Sequence, residues 1–421
     1  MKAEICAPPT AVASDALRIG AVKLHFPRLD CVDLLRGIVM VLMALDHTRD
    51  YFSTRGFSPE DLAHTSGPLF FTRFITHFCA PVFFLLAGTG GYLSLSRGKS
   101  VGEISRFYWT RGLWLVLLSL TVVSYAWTFV FHFWFGEVLW ALGFSMVAMA
   151  IIVRLPLRWI AISGVGMIVM HNLFDWVKPR SLGRFADLWR VLHTHGFAWI
   201  LPDRTILLVA FPLIPWIGVM AAGYAFGALL TRGNWRKSVF TLGAALTTSF
   251  LVLRIFHLYG NGHRSLEPWA GDAAGGWRLE PTLSLTIISF FDTLKFPPSL
   301  QFLLMTLGPS LMLLAWLDTL DAHRGAARFL RVFGRVPLFY YVLHLFLIHS
   351  LAVGVGFVLH QPVLWLMHGA FMFQLPPPSY GHGLGFIYAM WALAVVLLYV
   401  PCKVFMEFKR QHEEWWWLRY L

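Results

Sequence analysis

The sequence predicts an all-α, polytopic integral membrane bundle of about ten transmembrane helices, with both termini cytoplasmic. Three observations predict it. Of 421 residues, 57% are hydrophobic and only 13% are charged, about half the charge of a typical soluble domain. Ten apolar stretches are long enough to cross a bilayer, near 32–52, 69–95, 113–135, 138–154, 157–174, 205–230, 238–258, 299–318, 337–358 and 384–406. The Lys and Arg residues also sort by side, 21 on the segments predicted inside and 10 on those predicted outside.

Residues 1–30 read as a cytoplasmic leader with Lys2, Arg18, Lys23 and Arg28; they hold no apolar core or small-residue cleavage site, so no signal peptide is expected. Residues 31–406 then form the transmembrane domain, and 407–421 a cytoplasmic tail. The first span carries Arg36 and His47. Eleven helical steps return a side chain to within about 20° of its start, roughly 16 Å further along the axis. A cation and an imidazole therefore share one face of one helix, near opposite ends. Such a cation costs on the order of 2.5–3.5 kcal/mol in hydrocarbon, so it should face a protein interior or an aqueous cavity. Asp50 at i+3 from His47 is expected to orient the imidazole and Asp46 to tune it, the arrangement of a general base.

In the second span Arg73 and His77 share a face, and Pro81 should kink the helix. Gly88, Gly90 and Gly91 read as ordinary helix-packing positions. His132 is expected to be structural. His171-Asn172 closes the fifth span and is a candidate to join the same polar site. Arg254 with His257 is expected to snorkel to the interface. In the ninth span Tyr341 and His344 are placed to face the pore, while His349, about 140° round the helix from His344, reads as a packing partner.

Two segments between spans, 175–204 and 259–298, are long and rich in Trp, Pro and Gly, as acceptor-recognition loops are. Several classes are excluded. No alternating strands support a β-barrel. The net charge of +12 comes from small basic groups between spans, which membrane orientation explains without nucleic acid. Cys6, Cys31, Cys79 and Cys402 form no CxxC pair, and no metal is expected. No phosphate-binding loop supports an ATP-driven pump. The alternative that uses the same buried Arg, His and Asp residues is a secondary transporter; no internal repeat favours it.

Asp33-Leu-Leu-Arg-Gly37 through Asp46-His47, followed by His77-Phe-Cys-Ala-Pro-Val-Phe-Phe-Leu-Leu-Ala-Gly88, resembles the transmembrane acyltransferase superfamily. Within it the chain is most similar to bacterial proteins with the catalytic-type domain of heparan-α-glucosaminide N-acetyltransferase. The blocks Phe211-Pro-Leu-Ile-Pro-Trp-Ile-Gly218, Lys295-Phe-Pro-Pro-Ser299 and Phe333-Gly-Arg-Val-Pro-Leu-Phe-Tyr-Tyr341 extend the likeness to nearly the whole chain. The resemblance implies acyl transfer from cytoplasmic acetyl-CoA to a sugar amine or hydroxyl across the bilayer, on a periplasmic or envelope glycan or amino sugar. A homodimer is compatible with it.

Arg36-x10-His47 is similar to the motif of the related acyltransferase-3 branch, whose His is taken as the base. In the lysosomal enzyme the position of His47 is Asn, and the active His falls in the following loop, where this chain has His64. The Asp four residues before the second-span Pro is His77 here. The catalytic candidates are therefore His47, His64 and His77 in that order, with Asp46 and Asp50. Arg36, Arg73, Arg335, Tyr341 and His344 are the expected donor-binding set, and the expected membrane is the bacterial inner one.

Overall fold

A computed structural model of the chain describes residues 28–54, 57–131, 133–199, 206–261, 276–367, 376–377 and 379–421. Eight helical segments are long and apolar enough to cross a membrane: Gly67–Ser96, Val101–Thr128, Leu157–Phe174, Leu213–Leu230, Trp235–Ile255, Leu300–Leu317, Pro337–Val358 and Leu384–Gln411. The other two predicted spans are also helices. Val138–Ile152 (α6) is shorter, and Asp30–Phe52 (α1) carries Asp30, Asp33, Arg36, Asp46, Arg49 and Asp50 towards its two ends. The protein is a multi-pass membrane bundle.

The Gly67–Ser96 span is two helices, α2 (Gly67–Thr76) and α3 (Cys79–Ser96). The break falls at His77-Phe78, where Pro81 has no N–H to offer the carbonyl one turn earlier. The Val101–Thr128 span starts twelve residues before the predicted 113. A reciprocal cap fixes that start: Glu103 N–H donates to Ser100 Oγ at 3.2 Å and Ser100 N–H to Glu103 Oε2 at 2.7 Å. It comprises α4 (Val101–Leu118), a π-helical turn over Ser119–Val123, and α5 (Ser124–Thr128). The remaining helices are α7 (Leu157–Met170), α8 (Ala186–Leu192), α9 (Leu213–Leu230), α10 (Trp235–Ile255), α11 (Leu283–Phe291), α12 (Leu300–Leu317), α13 (Gly325–Arg335), α14 (Pro337–Val358) and α15 (Leu384–Gln411).

A small sheet interrupts the all-helical expectation. β1 (Phe133–Gly136), β2 (Gly196–Trp199) and β3 (Ile206–Val209) lie in the order β1-β3-β2. β1 runs parallel to β3 with Trp134 opposite Leu207, and β2 runs antiparallel with Phe197 opposite Leu208. The predicted span from 205 therefore begins with a strand, and its helix starts at Leu213. A four-residue apolar strand running into an apolar helix leaves no break in hydrophobicity to reveal it.

Helices meet where side chains are absent. A Cβ on Gly112 would lie 2.6 Å from the Gly143 carbonyl oxygen, and one on Gly143 2.7 Å from that of Gly112, so α4 and α6 cross backbone to backbone. Gly37 and Gly334 bring α1 against α13 in the same way. α1 sits at the centre, packed on α2, α3, α12, α13, α14 and α15.

Arg254 does not snorkel. It is buried, donating to the carbonyls of Ser289 at 2.7 Å, Asp292 at 2.6 Å and Phe290 at 2.8 Å, and to Asn261. The end of α10 is pinned to the C-terminal end of α11 because three carbonyls there have a donor fork to accept from. His257 is exposed and stacks on Trp277. His132 lies outside the described residues.

Candidate functional site

Two cavities lie along the face of α1 that carries Arg36 and His47, one at each end. The cavity at the His47 end is about 410 Å³ and is lined by Met43, Asp46, His47 and Asp50 of α1, with Glu60, Arg73, Cys79, Trp127, Glu137, His195, Lys295 and Tyr341 among others. The cavity at the Arg36 end is about 650 Å³. Phe83, Val138 and Tyr341 line both, so they form the partition between them.

The carboxylates at the His47 end are held by arginines. Arg73 Nη1 donates to both oxygens of Asp46, at 2.8 and 2.7 Å, and its Nε to Glu60 at 3.4 Å. Arg49 reaches Asp46 at 2.9 Å and Asp50 at 2.7 Å. Glu60 continues the chain to His77 Nε2 at 3.0 Å. In the loop before α12, burial pushes the Lys295 ammonium down to about 8; Arg73 adds to the fall, while Asp46 and Glu60 oppose it.

His47 stands apart from this network, contrary to the expectation of a carboxylate-held imidazole. Its Nδ1 is 3.8 Å from Asp50, too long for a hydrogen bond, and Asp46 turns to the arginines. Both ring nitrogens are buried and have no hydrogen-bond partner among the described residues. The ring is fixed by packing, edge-on to Trp127 with centroids 4.6 Å apart and 5.2 Å from that of His344. A rigid imidazole in a cavity wall with free nitrogens is available to a molecule in that cavity.

The partition is also rigid. Tyr341 donates a hydrogen bond to Glu137 Oε2; Ser119 donates to Oε1 at 2.7 Å, and the Leu139 N–H at 2.9 Å caps α6 on the same side chain. One buried carboxylate thereby ties the π-turn after α4, the start of α6 and the N-terminal part of α14 together.

The Arg36 end is strongly basic. Among the described residues Arg28, Arg36, Lys99, Arg111, Arg331, Arg335, Lys409 and Arg410 line it, against Glu407 and Glu413. Asp33 partly compensates, accepting from Arg28 at 2.7 Å and Arg36 at 3.2 Å and lying 3.3 Å from Arg335. Arg36 Nη1 also donates to the Gly334 carbonyl at 3.0 Å.

Several predicted groupings separate in space. Arg73 is not with Arg36 and Arg335 but in the opposite cavity, because α2 approaches the far end of α1. His344 lines neither cavity: it is buried behind His47, with Nδ1 3.1 Å from the Tyr340 carbonyl. His64 is exposed, 2.6 Å from Asp61, and lines neither cavity; His77 is buried on Glu60 and lines neither. His171 does not join the polar site, but Asn172 and Asp175 lie beside it in a separate cluster. His349 is the packing residue expected, between the carbonyls of Ala126 and Leu366 and stacked on Phe129. Glu60, Trp127, Glu137 and Lys295 were not among the predicted site residues. Two of them left a signal: Glu137 as an acid opening an apolar stretch, and Lys295 as the first residue of a block that carries the family likeness.

Central helix, opposed cavities and basic vestibule together define a multi-pass membrane protein with a cavity at each end of one buried helix, one of them strongly basic. The family model described as "Heparan-alpha-glucosaminide N-acetyltransferase, catalytic" matches residues 28–260, more than half of the chain, and the chain belongs to that family. It is a membrane acetyltransferase. A search of the curated proteins gives no match.

Proposed function

We propose that the protein moves an acetyl group from acetyl-CoA, bound at the Arg36 end from the cytoplasm, to a sugar amine or hydroxyl held at the His47 end. The observation that carries this reading is the pair of cavities meeting at Phe83, Val138 and Tyr341, one lined by eight basic side chains and the other by a free imidazole. Coenzyme A carries several phosphate charges, which suit the basic vestibule. Its thin pantetheine arm is the part of the molecule able to reach the partition and present the thioester.

In the transfer, the acceptor nitrogen or oxygen attacks the thioester carbonyl while His47 takes its proton. The C–S bond then breaks, and the proton passes from His47 to the departing thiolate. A thioester is already activated, so positioning and one base suffice. Asp46, Arg73 and Glu60 hold the acceptor wall, and Asp50 is the carboxylate nearest the imidazolium formed in the transition state. Arg335 and Tyr341 act on the donor side, Arg335 on phosphate and Tyr341 as part of the partition. Residues 31–406 form the transferase domain in this reading. The leader and the 407–421 tail lie on the cytoplasmic side of a bacterial inner membrane.

The test is transfer in proteoliposomes of one orientation, with acetyl-CoA confined to one side and an impermeant amino sugar to the other. Acetylation is expected only when acetyl-CoA faces the Arg36 end. Transfer that requires both substrates on one side would refute the reading.

A further inference from the structure

Away from both cavities, His171 after α7, Asp175 and His193 after α8 converge. One ligand-type atom of each lies within 4.8 Å of the other two. His171 is 2% exposed and His193 1%. Asp175 Oδ1 is 3.2 Å from His193 Nε2. Yet none of the four imidazole nitrogens makes a well-aligned hydrogen bond among the described residues, nor does Asp175 Oδ1, whose 3.2 Å contact with His193 Nε2 is not aligned as one; the Pro298 backbone lies within reach of the His171 ring. A neutral imidazole carries one donor and one acceptor, and buried polar groups are rarely left unpaired. Two adjacent imidazoles sharing that condition beside a carboxylate point to a missing common partner.

We propose that His171, Asp175 and His193 bind a divalent transition metal, zinc being the best fit, where none is expected from the sequence. Two imidazoles and one carboxylate are a zinc donor set, whereas calcium and magnesium take oxygen ligands. Zinc bonds of about 2.0–2.1 Å in a tetrahedron place donors roughly 3.4 Å apart. Side-chain rotations of about 1.5 Å or less close the widest pair from its present limit. Each imidazole offers a lone pair in place of a proton, Asp175 one charge, and water the fourth position. The other Asp175 oxygen is already oriented by Asn172 Nδ2 at 2.8 Å, as ligands at metal sites usually are.

The metal's role is a staple. Asn172 also accepts from the Leu300 N–H at 2.9 Å, at the start of α12 just after Lys295 and Phe296 in the cavity wall. His193 leads directly into His195 and Phe197 of the same wall. Coordination therefore fixes three chain segments that shape the cavity without touching its contents.

The test is zinc content of the full chain in nanodiscs, incubated with Zn²⁺ and washed, then measured by mass spectrometry. Cobalt exchange provides the geometry through its visible absorption. About one zinc per chain is expected, lost in His171→Ala and His193→Ala. It should be kept in His47→Ala, which tests the Asp46, His47 and Asp50 grouping as a rival site. His193→Cys guards against misfolding: it should retain the metal and add a thiolate-to-cobalt band. No zinc in the parent protein, zinc that survives His171→Ala, or no thiolate band in His193→Cys would each overturn the proposal.

Discussion

His47→Gln separates chemistry from fold, because His47 makes no hydrogen bond among the described residues to lose. Its fold contribution is ring packing on Trp127 and His344. Gln has similar volume, so the stability change should stay below about 1.5 kcal/mol. Removing a positioned base costs about 10²–10⁴-fold in rate, or roughly 3–5 kcal/mol of barrier. The two effects are therefore far enough apart to distinguish. The assay is transfer of radiolabelled acetyl to an amino sugar by the purified protein in nanodiscs, with donor affinity measured separately by calorimetry. Turnover should fall at least about 10²-fold while donor affinity holds, since His47 does not line the basic cavity. His64→Ala should behave as the parent, because that side chain is exposed and, among the described residues, touches Asp61 and the Phe57 ring outside both cavities. Near-normal turnover in His47→Gln together with a collapse in His64→Ala or His77→Ala would refute the assignment.

Arg36→Ala should weaken acetyl-CoA binding by about 2–3 kcal/mol, the worth of a charge-assisted bond in a poorly solvated site. Calorimetry on a variant with the parent's thermal midpoint checks it, and Arg36→Lys should restore only part. Arg254→Met leaves three buried carbonyls without their donor and should cost at least about 3 kcal/mol. Thermal unfolding followed by Trp fluorescence measures this, with donor affinity in the cold unchanged. Lys295 has a folded pKa of about 8, below its ordinary value of about 10.5. Between those values the unfolded chain holds a proton that the folded one has released, so stability rises with pH across that window. The rise should be absent in Lys295→Met when thermal midpoints are compared from pH 7 to 10.5.

Composition alone determined the membrane bundle, because crossing a bilayer demands runs of apolar residues that nothing else in the chain imitates. The helical period also placed Arg36 and His47 on one face correctly, since that relation is internal to α1. Pro81 announced the break between α2 and α3 for the same local reason. Relations between helices were not legible. Arg73 was grouped with Arg36, yet α2 delivers it to Asp46 at the far end of α1. Arg254 read as a snorkelling cation because its partners, the carbonyls of Ser289, Phe290 and Asp292, are backbone atoms that every sequence has. The same blindness hid Glu60 and the place of Lys295 in the cavity wall, since only the packed helices fix the positions of polar residues in loops. Sequence determines what each segment must bury; only tertiary packing decides which polar groups then share a cavity, because that depends on helix order and crossing, to which local periodicity is indifferent.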